Sequence, residues 1–242
     1  MDRSVKIFQT PYDLAEKFAE EMVCMINESV KEEKTFTVAL SGGSTPELLF
    51  SLLGDNYAKS VSWKNVHLFW GDERCVPPDN AESNFGLTKR KLIDKIEIPA
   101  INVHRIKGEE DPEYEAERYS NEILTFTQSR NGLPFFDLFI LGLGDDGHTA
   151  SIFPGNTEIL NSEKICEVAT HPVTYQQRIT ITGRVINNSS RVVFLVTGKK
   201  KAEIVENIIN NRAEALNFPA SFIVPTYGML NWIVDKEAAS LL

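Results

Sequence analysis

Short runs of apolar residues, each closed by glycine, proline or another turn residue, recur along the chain. A run of this kind, bounded by turn signals, predicts a β-strand. The pattern predicts strands at Val5–Phe8, Thr35–Leu40, Val66–Trp70, Asn102–Ile106, Phe136–Leu143, Arg178–Thr182, Arg191–Thr197, Phe218–Val224 and Leu230–Val234. The run Phe136–Leu143 is mostly apolar, which predicts a buried strand.

Between these strands, apolar residues recur at spacings of three and four, as on one face of a helix. The pattern predicts a short Ala-rich helix at the C-terminus and five others, at Pro11–Val30, Glu47–Leu53, Phe85–Ile96, Pro112–Gln128 and Lys199–Asn210. For the helix at Glu47–Leu53 we expect Thr45 as the N-cap and Pro46 at the first helical position.

Strands that alternate with helices indicate an α/β fold. We therefore predict a single-domain, Rossmann-like three-layer sandwich over residues 1–242, with a mainly parallel sheet and helices on both faces. The chain contains no internal repeat, low-complexity tract or linker that would divide it. In such folds ligands bind at the carboxyl ends of the strands, so the loops at those ends are the first place to look for chemistry.

The loop after Phe136–Leu143 carries the strongest chemical signal. Asp146 and His148 lie two residues apart, so in an extended segment they project to the same side, and the carboxylate can hold the imidazole. The glycines Gly142, Gly144 and Gly147 also match a dinucleotide-binding fingerprint. Against that alternative, two aspartates would face the pyrophosphate and no clear helix follows. An ordinary Asp-Gly-His turn is the other alternative.

Two further loops also follow predicted strands. The loop Ser41–Pro46 combines glycines, hydroxyls and a helix N-terminus, which predicts an anion site, most naturally for phosphate. It lacks the Gly-Lys-Ser/Thr of a Walker loop, and a plain turn is the alternative. The loop Gly71–Arg74 places charged residues at a strand end, where ligand contacts belong. The lysines Lys199–Lys201 open a helix, which suggests a nearby anion or only a solvated run.

Composition and charge argue against several classes of function. The formal net charge of −9 argues against a nucleic-acid or anionic-membrane surface. The three cysteines are far apart and favour a reducing compartment, so we expect a cytoplasmic protein. The N-terminus lacks the apolar core of a signal peptide, and no apolar run is long enough to span a bilayer. The four histidines show no metal-ligand spacing, so no metal is expected. The oligomeric state stays open, with a monomer favoured.

Five blocks of the chain resemble the 6-phosphogluconolactonase family, within the wider group that includes glucosamine-6-phosphate deaminases. The blocks are ALSGGSTP (Ala39–Pro46), WGDERCVPPDNAESN (Trp70–Asn84), LGLGDDGHTASIFPG (Leu141–Gly155), RITIT (Arg178–Thr182) and VTGKKKA (Val196–Ala202). The deaminases follow Asp-Gly-His with an Asn-Glu pair and carry a tyrosine at the position of Arg74. Both features are absent here, which favours the lactonase branch. The segment His171–Gln177 does not match the family closely.

The resemblance implies hydrolysis of 6-phospho-D-glucono-1,5-lactone to 6-phospho-D-gluconate, in the oxidative pentose phosphate pathway, without a cofactor. The chemistry of the residues agrees, because an imidazole such as His148 can take a proton from water near neutral pH. Asp146 would orient His148, and Arg74 would steady the developing negative oxygen of the lactone. By family likeness the substrate-binding residues are Gly42, Gly43, Ser44, Thr45, Asp72, Arg178 and Lys201, of which Arg178 and Lys201 are counter-charges for the phosphate.

Lys201 is chosen over its two neighbouring lysines because its place before Ala202 matches the family pattern.

Three alternative functions remain open. A deaminase or isomerase on the same scaffold would release ammonia from glucosamine 6-phosphate. A non-enzymatic regulator that binds a sugar phosphate would not need Asp146 and His148. An oxidoreductase that uses the three glycines after the strand would bind a nicotinamide cofactor.

Overall fold

A computed structural model describes residues 3–242, and its centre is a sheet of seven parallel strands. The strands of this sheet are β1 (Arg3–Phe8), β2 (Phe36–Leu40), β3 (Val66–Trp70), β5 (Val103–His104), β8 (Leu138–Leu141), β11 (Arg191–Val196) and β12 (Met229–Asp235). Their spatial order is β1-β12-β11-β8-β2-β3-β5. The predicted α/β class and parallel sheet are confirmed.

The remaining strands form two small antiparallel sheets. One has the order β4-β10-β9, with β4 (Asp72–Arg74), β9 (Cys166–Thr170) and β10 (Gln177–Ile181), and the other pairs β6 (Gln128–Arg130) with β7 (Leu133–Phe135). The α-helices are α1 (Pro11–Lys31), α2 (Ser44–Asn56), α3 (Asn84–Lys91), α4 (Pro112–Phe126), α5 (Gly183–Asn188) and α6 (Ala202–Ile209). Short 3₁₀ helices occupy Trp63–Asn65, Ile93–Lys95, Ala100–Asn102, Thr157–Leu160, Lys199–Lys201, Ala213–Asn217 and Pro219–Phe222.

The first helix shows how the sequence specifies the packing. Thr10 caps α1 through a reciprocal box with Asp13, and Pro11 fits the first turn because its missing N–H needs no partner there. The buried face carries Leu14, Phe18, Met22 and Ile26, each four residues from the next. Burying one such side chain contributes about 1.5–3 kcal/mol, so this face holds the helix in place.

The strand order creates a crevice between β2 and β8. After β2 the chain builds β3 and β5 outward on one side, and then returns to place β8, β11 and β12 on the other. This reversal is the topological switch point, where the loops that leave adjacent strands diverge and leave room for a ligand. The loops after β2 and β8 are the two that the sequence singled out as an anion site and as a catalytic turn.

The structure corrects several local predictions near this crevice. Gly71–Arg74 was expected to be a loop, but Asp72–Arg74 is strand β4, which pairs with β10. The predicted strand Arg178–Thr182 exists as β10, but it belongs to this smaller sheet. Thr45 does not cap α2: Gly43 is the N-cap, and the Thr45 hydroxyl instead lies 2.8 Å from that of Thr197. The helix predicted at Phe85–Ile96 ends at Lys91 and is followed by a 3₁₀ turn.

Two predicted elements near the C-terminus are wrong. Phe218–Val224 is not a strand: Pro219 cannot donate a ladder hydrogen bond, and it is the first residue of a 3₁₀ helix at Pro219–Phe222. The Ala-rich C-terminus forms turns, with Asp235 accepting a hydrogen bond from the Ala238 amide at 2.8 Å. Helix α5, strand β9 and the β6–β7 hairpin are elements that we did not predict. No helix within residues 3–242 is both long and apolar enough to cross a membrane.

Candidate active site

Loops from several strands meet in one small cleft at the carboxyl edge of the sheet, with a volume of about 120 Å³. The loop after β2 supplies one wall, the loop after β8 the opposite wall, and the small β4-β10 sheet closes one side. The lining residues are Ser41, Gly42, Asp72, Arg74, Asn84, Gly142, Leu143, Gly144, His148, Thr149, Ala150 and Arg178. The cleft thus brings together predicted site residues from four separate parts of the sequence.

His148 is held against Asp146 in the geometry that its predicted role requires. Its Nδ1 lies 2.5 Å from Asp146 Oδ1, and its backbone N–H donates to the same oxygen at 3.0 Å. Burial alone would raise the pKa of Asp146, but the hydrogen bonds from His148 outweigh it and lower the pKa to about 2. Asp146 is therefore ionised at neutral pH and accepts the proton on Nδ1, which leaves Nε2 free as the basic nitrogen.

Gly144 is what allows the imidazole to lie so close to its own loop. A Cβ at Gly144 would stand 2.1 Å from His148 Nδ1, so any other residue would displace the ring. The loop is closed by a hydrogen bond from the Gly144 amide to the His148 carbonyl at 2.8 Å. Of the three glycines that match a dinucleotide fingerprint, Gly144 thus makes room for the histidine and Gly147 makes room for Phe218.

The short strand β4 sends its charged side chains to opposite faces, as alternation in a strand requires. Asp72 and Arg74 line the cleft, whereas Glu73 is buried and accepts hydrogen bonds from the amides of Asn84 and Phe85 at the start of α3. Burial raises the pKa of Glu73, although these donors oppose the shift. Glu73 therefore anchors α3, and its two neighbours remain for the ligand.

Arg74 and Arg178 face each other across β4 and β10, where they are register partners. Like charges directly opposite in a sheet repel, so the pair points to an anion between or beside them. The Nε atoms of both arginines are buried and have no hydrogen-bond partner within residues 3–242. Burial has the largest effect on the pKa of Arg178 and lowers it. The nearby Asp72 raises this pKa and Arg74 lowers it, and the net shift is downward. Such unsatisfied donors are rare in native proteins unless a ligand meets them.

Asn84 is a site residue that we did not single out individually, although it ends one of the family blocks. It is buried, its Oδ1 accepts from Arg74 Nη1 at 2.9 Å, and its Nδ2 donates to the Asp72 carbonyl at 2.9 Å. It also packs on Gly42, where an added Cβ would come within 1.8 Å of Asn84 Oδ1. Asn84 thus links the loop after β2 to the arginine side of the cleft.

Phe153 is a second residue that we did not assign to the site, because an apolar side chain does not by itself indicate chemistry. Its buried ring lies 4.9 Å from the His148 ring and 5.0 Å from that of His171, between ring centres. The Arg178 guanidinium stands 5.6 Å from the same ring. Phe153 therefore packs against both the predicted base and a predicted phosphate ligand.

Ser151 also positions a group of the cleft. Its hydroxyl donates a hydrogen bond to the Asp72 carboxylate at 2.6 Å and so orients that carboxylate.

The predicted phosphate loop lines a second pocket that adjoins the cleft. Gly42, Gly43, Ser44 and Thr45 surround it at the N-terminus of α2, and Lys201 closes it from the start of α6. Lys199 and Lys200 are exposed and do not line this pocket. Arg178, the other predicted counter-charge, lies in the cleft with Arg74 instead. The two predicted counter-charges thus approach from different pockets, which share Gly42, Gly142 and Leu143.

No group of three or more metal-binding side chains lies together in the part of the chain that the structure describes. The chemistry available in the cleft is that of an imidazole base, a carboxylate that holds it, and guanidinium groups that attract negative charge. These groups suit the addition of water to an electrophilic carbonyl and the stabilisation of the oxyanion that results.

Comparison with known proteins relates this arrangement to one family. The family described as glucosamine-6-phosphate isomerases/6-phosphogluconolactonase matches residues 9–232. The chain is 42% identical over 238 residues to 6-phosphogluconolactonase from Haemophilus influenzae, covering 97% of this chain and 98% of that protein. It is 38% identical over 226 residues to the enzyme of the same name from Synechocystis, covering 91% and 92%. The structure of 6-phosphogluconolactonase from Trypanosoma brucei superimposes with a TM-score of 0.89 at 27% identity, covering 99% of this chain and 98% of that one.

Proposed function

The chain belongs to the glucosamine-6-phosphate isomerase/6-phosphogluconolactonase family, and from that premise we propose that it hydrolyses 6-phospho-D-glucono-1,5-lactone to 6-phospho-D-gluconate with a water activated by His148. This is a step of the oxidative pentose phosphate pathway. The observation that carries the proposal is the Asp146–His148 pair, with Nδ1 and Oδ1 2.5 Å apart, facing a cleft that holds two arginines. We further propose that residues 1–242 act as a single lactonase domain.

His148 acts first as a base and then as an acid. Its Nε2 takes a proton from water as the water oxygen bonds to the lactone carbonyl carbon, and the carbonyl oxygen becomes an oxyanion. When the carbonyl re-forms, the bond to the ring oxygen breaks and the imidazolium returns its proton to that oxygen. Asp146 stabilises the imidazolium between the two steps, and a base of this kind typically contributes about 10²–10⁴-fold in rate.

The arginine side of the cleft supplies the electrostatic part of the reaction. Arg74 is assigned to the oxyanion, because it lines the same cleft as His148 and its buried Nε has no partner within the described chain. Asp72 is assigned to a sugar hydroxyl, since its carboxylate lines the cleft and accepts hydrogen bonds. These roles are assigned by position and chemistry together.

The phosphate is assigned to the adjoining pocket of Gly42–Thr45. The free amides at the N-terminus of α2 and the Lys201 ammonium favour an anion there. Arg178 is the second counter-charge and acts from the cleft side. Holding the phosphate at a distance from the reacting carbon orients the ring against His148, which is how remote binding energy assists the reaction.

The sequence also allowed a deaminase or isomerase and a non-enzymatic sugar-phosphate-binding regulator. The relatives reported above carry the lactonase name, and the family block LGLGDDGHTASIFPG lacks the Asn-Glu pair of the deaminases. Release of ammonia from glucosamine 6-phosphate would favour the deaminase. A cytoplasmic location stays a prediction, supported by Cys24, Cys75 and Cys166, which are free thiols in the structure.

The decisive experiment compares lactone hydrolysis by the parent protein and by His148→Ala. The lactone is generated in place, its loss is followed, and the spontaneous rate is subtracted. We expect a large acceleration by the parent and a kcat about 10²–10⁴-fold lower in the variant, with a smaller change in KM. His67→Asn is the matched control, because His67 lies on β3 beside His104 and lines neither pocket. A parent that does not exceed the spontaneous rate would refute the proposal.

A further inference from the structure

Lys201, the cation of the phosphate pocket, already has a negative partner. Its ammonium contacts Asp145 Oδ1, across the gap between α6 and the loop after β8. The two side chains differ in exposure: that of Lys201 is 18% exposed, whereas that of Asp145 is 66% exposed. The ammonium is thus partly withdrawn from water and gains from a counter-ion, while the carboxylate can return to water at little cost.

A bound phosphate and the Asp145 carboxylate would compete for the same ammonium. The pocket that Lys201 lines is also the one formed by Gly42–Thr45, to which we assign the phosphate. A phosphate dianion placed there would stand beside a carboxylate of the same sign unless that carboxylate moved away. The contact with Lys201 already lowers the pKa of Asp145, so the carboxylate is ionised at neutral pH and cannot avoid the conflict by protonation.

We propose that Asp145 is the resident counter-ion of the phosphate pocket: it holds Lys201 while the pocket is empty, and the phosphate of the substrate replaces it on binding. This inference rests on the proposed function for the identity of the ligand. The exchange weakens the binding of phosphate esters, because the ion pair between Lys201 and Asp145 must break before the phosphate can pair with Lys201. The return of Asp145 to Lys201 assists release of the phosphorylated product.

The exchange can take place without moving the base. His148 is fixed by the hydrogen bond between its carbonyl and the Gly144 amide, and by Asp146. The next residue back, Gly147, is held from the other side by the Ala220 amide, which donates to its carbonyl at 3.1 Å. The Asp145 side chain is more exposed than that of Asp146 and is not hydrogen-bonded to His148, so it can rotate away from Lys201 while its neighbours stay in place.

Binding of 6-phosphogluconate to Asp145→Asn, measured by titration calorimetry at low ionic strength, tests this inference. Asparagine keeps the shape of the side chain and removes its charge. We expect the Kd to fall about two- to fivefold, the size of one partly exposed ion pair. KM for the lactone should fall in the same direction. In a Lys201→Ala background, the same substitution should change Kd by less than half as much on a logarithmic scale, because the shared ammonium is gone.

Glu203→Gln is the matched control, because Glu203 is an exposed acid in the first turn of α6. It removes the same charge from the neighbourhood of Lys201, and we expect Kd to stay the same. A Kd that rises in Asp145→Asn, an equal fall in Glu203→Gln, or a fall that persists in full without Lys201 would each overturn the inference. Calorimetry does not depend on turnover, so an inactive parent would refute the proposed function and leave this result to be judged separately.

Discussion

The contact between Asp146 and His148 fixes which nitrogen is available for chemistry. Asp146 Oδ1 accepts the proton on Nδ1, so Nε2 is the base. In Asp146→Asn the amide can present its N–H₂ to Nδ1 and stabilise the other tautomer. We expect kcat to fall about 10²–10⁴-fold, as when the orienting acid of a catalytic triad is replaced. A kcat within twofold of the parent would contradict the role of Asp146.

The pH profile gives a second measurement at the same residue. Hydrogen bonds from His148 overcome the effect of burial and hold the pKa of Asp146 at about 2, so Asp146 stays ionised throughout the range in which activity is measured. An acid limb of kcat/KM at higher pH therefore belongs to a group other than Asp146, and it should persist in Asp146→Asn. An acid limb that disappears would instead assign it to Asp146.

Phe153 is expected to act on catalysis only through its neighbours. Phe153→Leu removes the ring that packs against His148 and beside Arg178. We expect kcat/KM to fall about tenfold or more, because small displacements of a base are costly, and kcat to be affected as well as KM. Phe194→Leu is the matched control: Phe194 is equally buried but stacks on Trp232, 4.1 Å between ring centres. If both variants lose activity equally per folded molecule, Phe153 has only a core-packing role.

At the level of elements, α3 depends on a buried carboxylate at its N-terminus. Glu73 accepts from the amides of Asn84 and Phe85 at 2.8 Å, and the Ser83 hydroxyl donates to it at 2.9 Å. Glu73→Gln would turn an N–H₂ towards these donors, so we expect a loss of about 1–3 kcal/mol in the free energy of unfolding. KM should rise too, because Asn84 positions Arg74. Urea unfolding measures this loss, and Glu97→Gln is the control because Glu97 is an exposed acid after α3. Equal free energies of unfolding for the two variants would contradict the role of Glu73.

The elements that were predictable are those whose pattern is local. The buried strand at Val66–Trp70 is bounded as predicted, and Pro11 marks the start of α1, because burial and capping act within a few residues. Asp72–Arg74 was not predictable as a strand, because its partner β10 lies far along the chain. Phe218–Val224 has the composition of a strand, yet Phe218 instead packs on Gly147, where a Cβ would lie 2.4 Å from its ring. That contact is tertiary and leaves no periodicity.

In the candidate site too, local sequence patterns were predictable and contacts between distant parts of the chain were not. That Asp146 can hold His148 follows from their spacing, whereas the approach of their loop to Gly42 also requires β8 to lie beside β2, a strand order that no local pattern predicts. The facing of Arg74 and Arg178 required the antiparallel pairing of β4 with β10, which the sequence did not reveal. Asn84 and Phe153 act by contacts alone, so no local pattern could mark them. The separation of Arg178 from Lys201 likewise depends on where the chain places α6 and β10.

Two histidines outside the site should govern how the stability of the whole molecule depends on pH. His67 Nδ1 lies 2.9 Å from His104 Nε2, and His104 Nδ1 lies 2.7 Å from Glu122, which also pairs with Arg118. Burial lowers the pKa of both rings from the ordinary value of 6.5, although Glu122 opposes the shift for His104. The folded state therefore favours neutral rings. The stability this provides is complete above pH 6.5 and is lost as the pH falls below it.

Replacing both rings by phenylalanine should remove this dependence. The double variant His67→Phe/His104→Phe keeps aromatic contacts with Phe69 and Phe126 and leaves Glu122 paired with Arg118. In the parent, the free energy of unfolding should fall with acidification below pH 6.5, with a slope of up to about 1.4 kcal/mol per pH unit for each ring that stays neutral. The variant should show a shallower slope in urea unfolding between pH 7.5 and 5.5. Equal slopes would mean that other groups, and not this pair, set the acid limit of the fold.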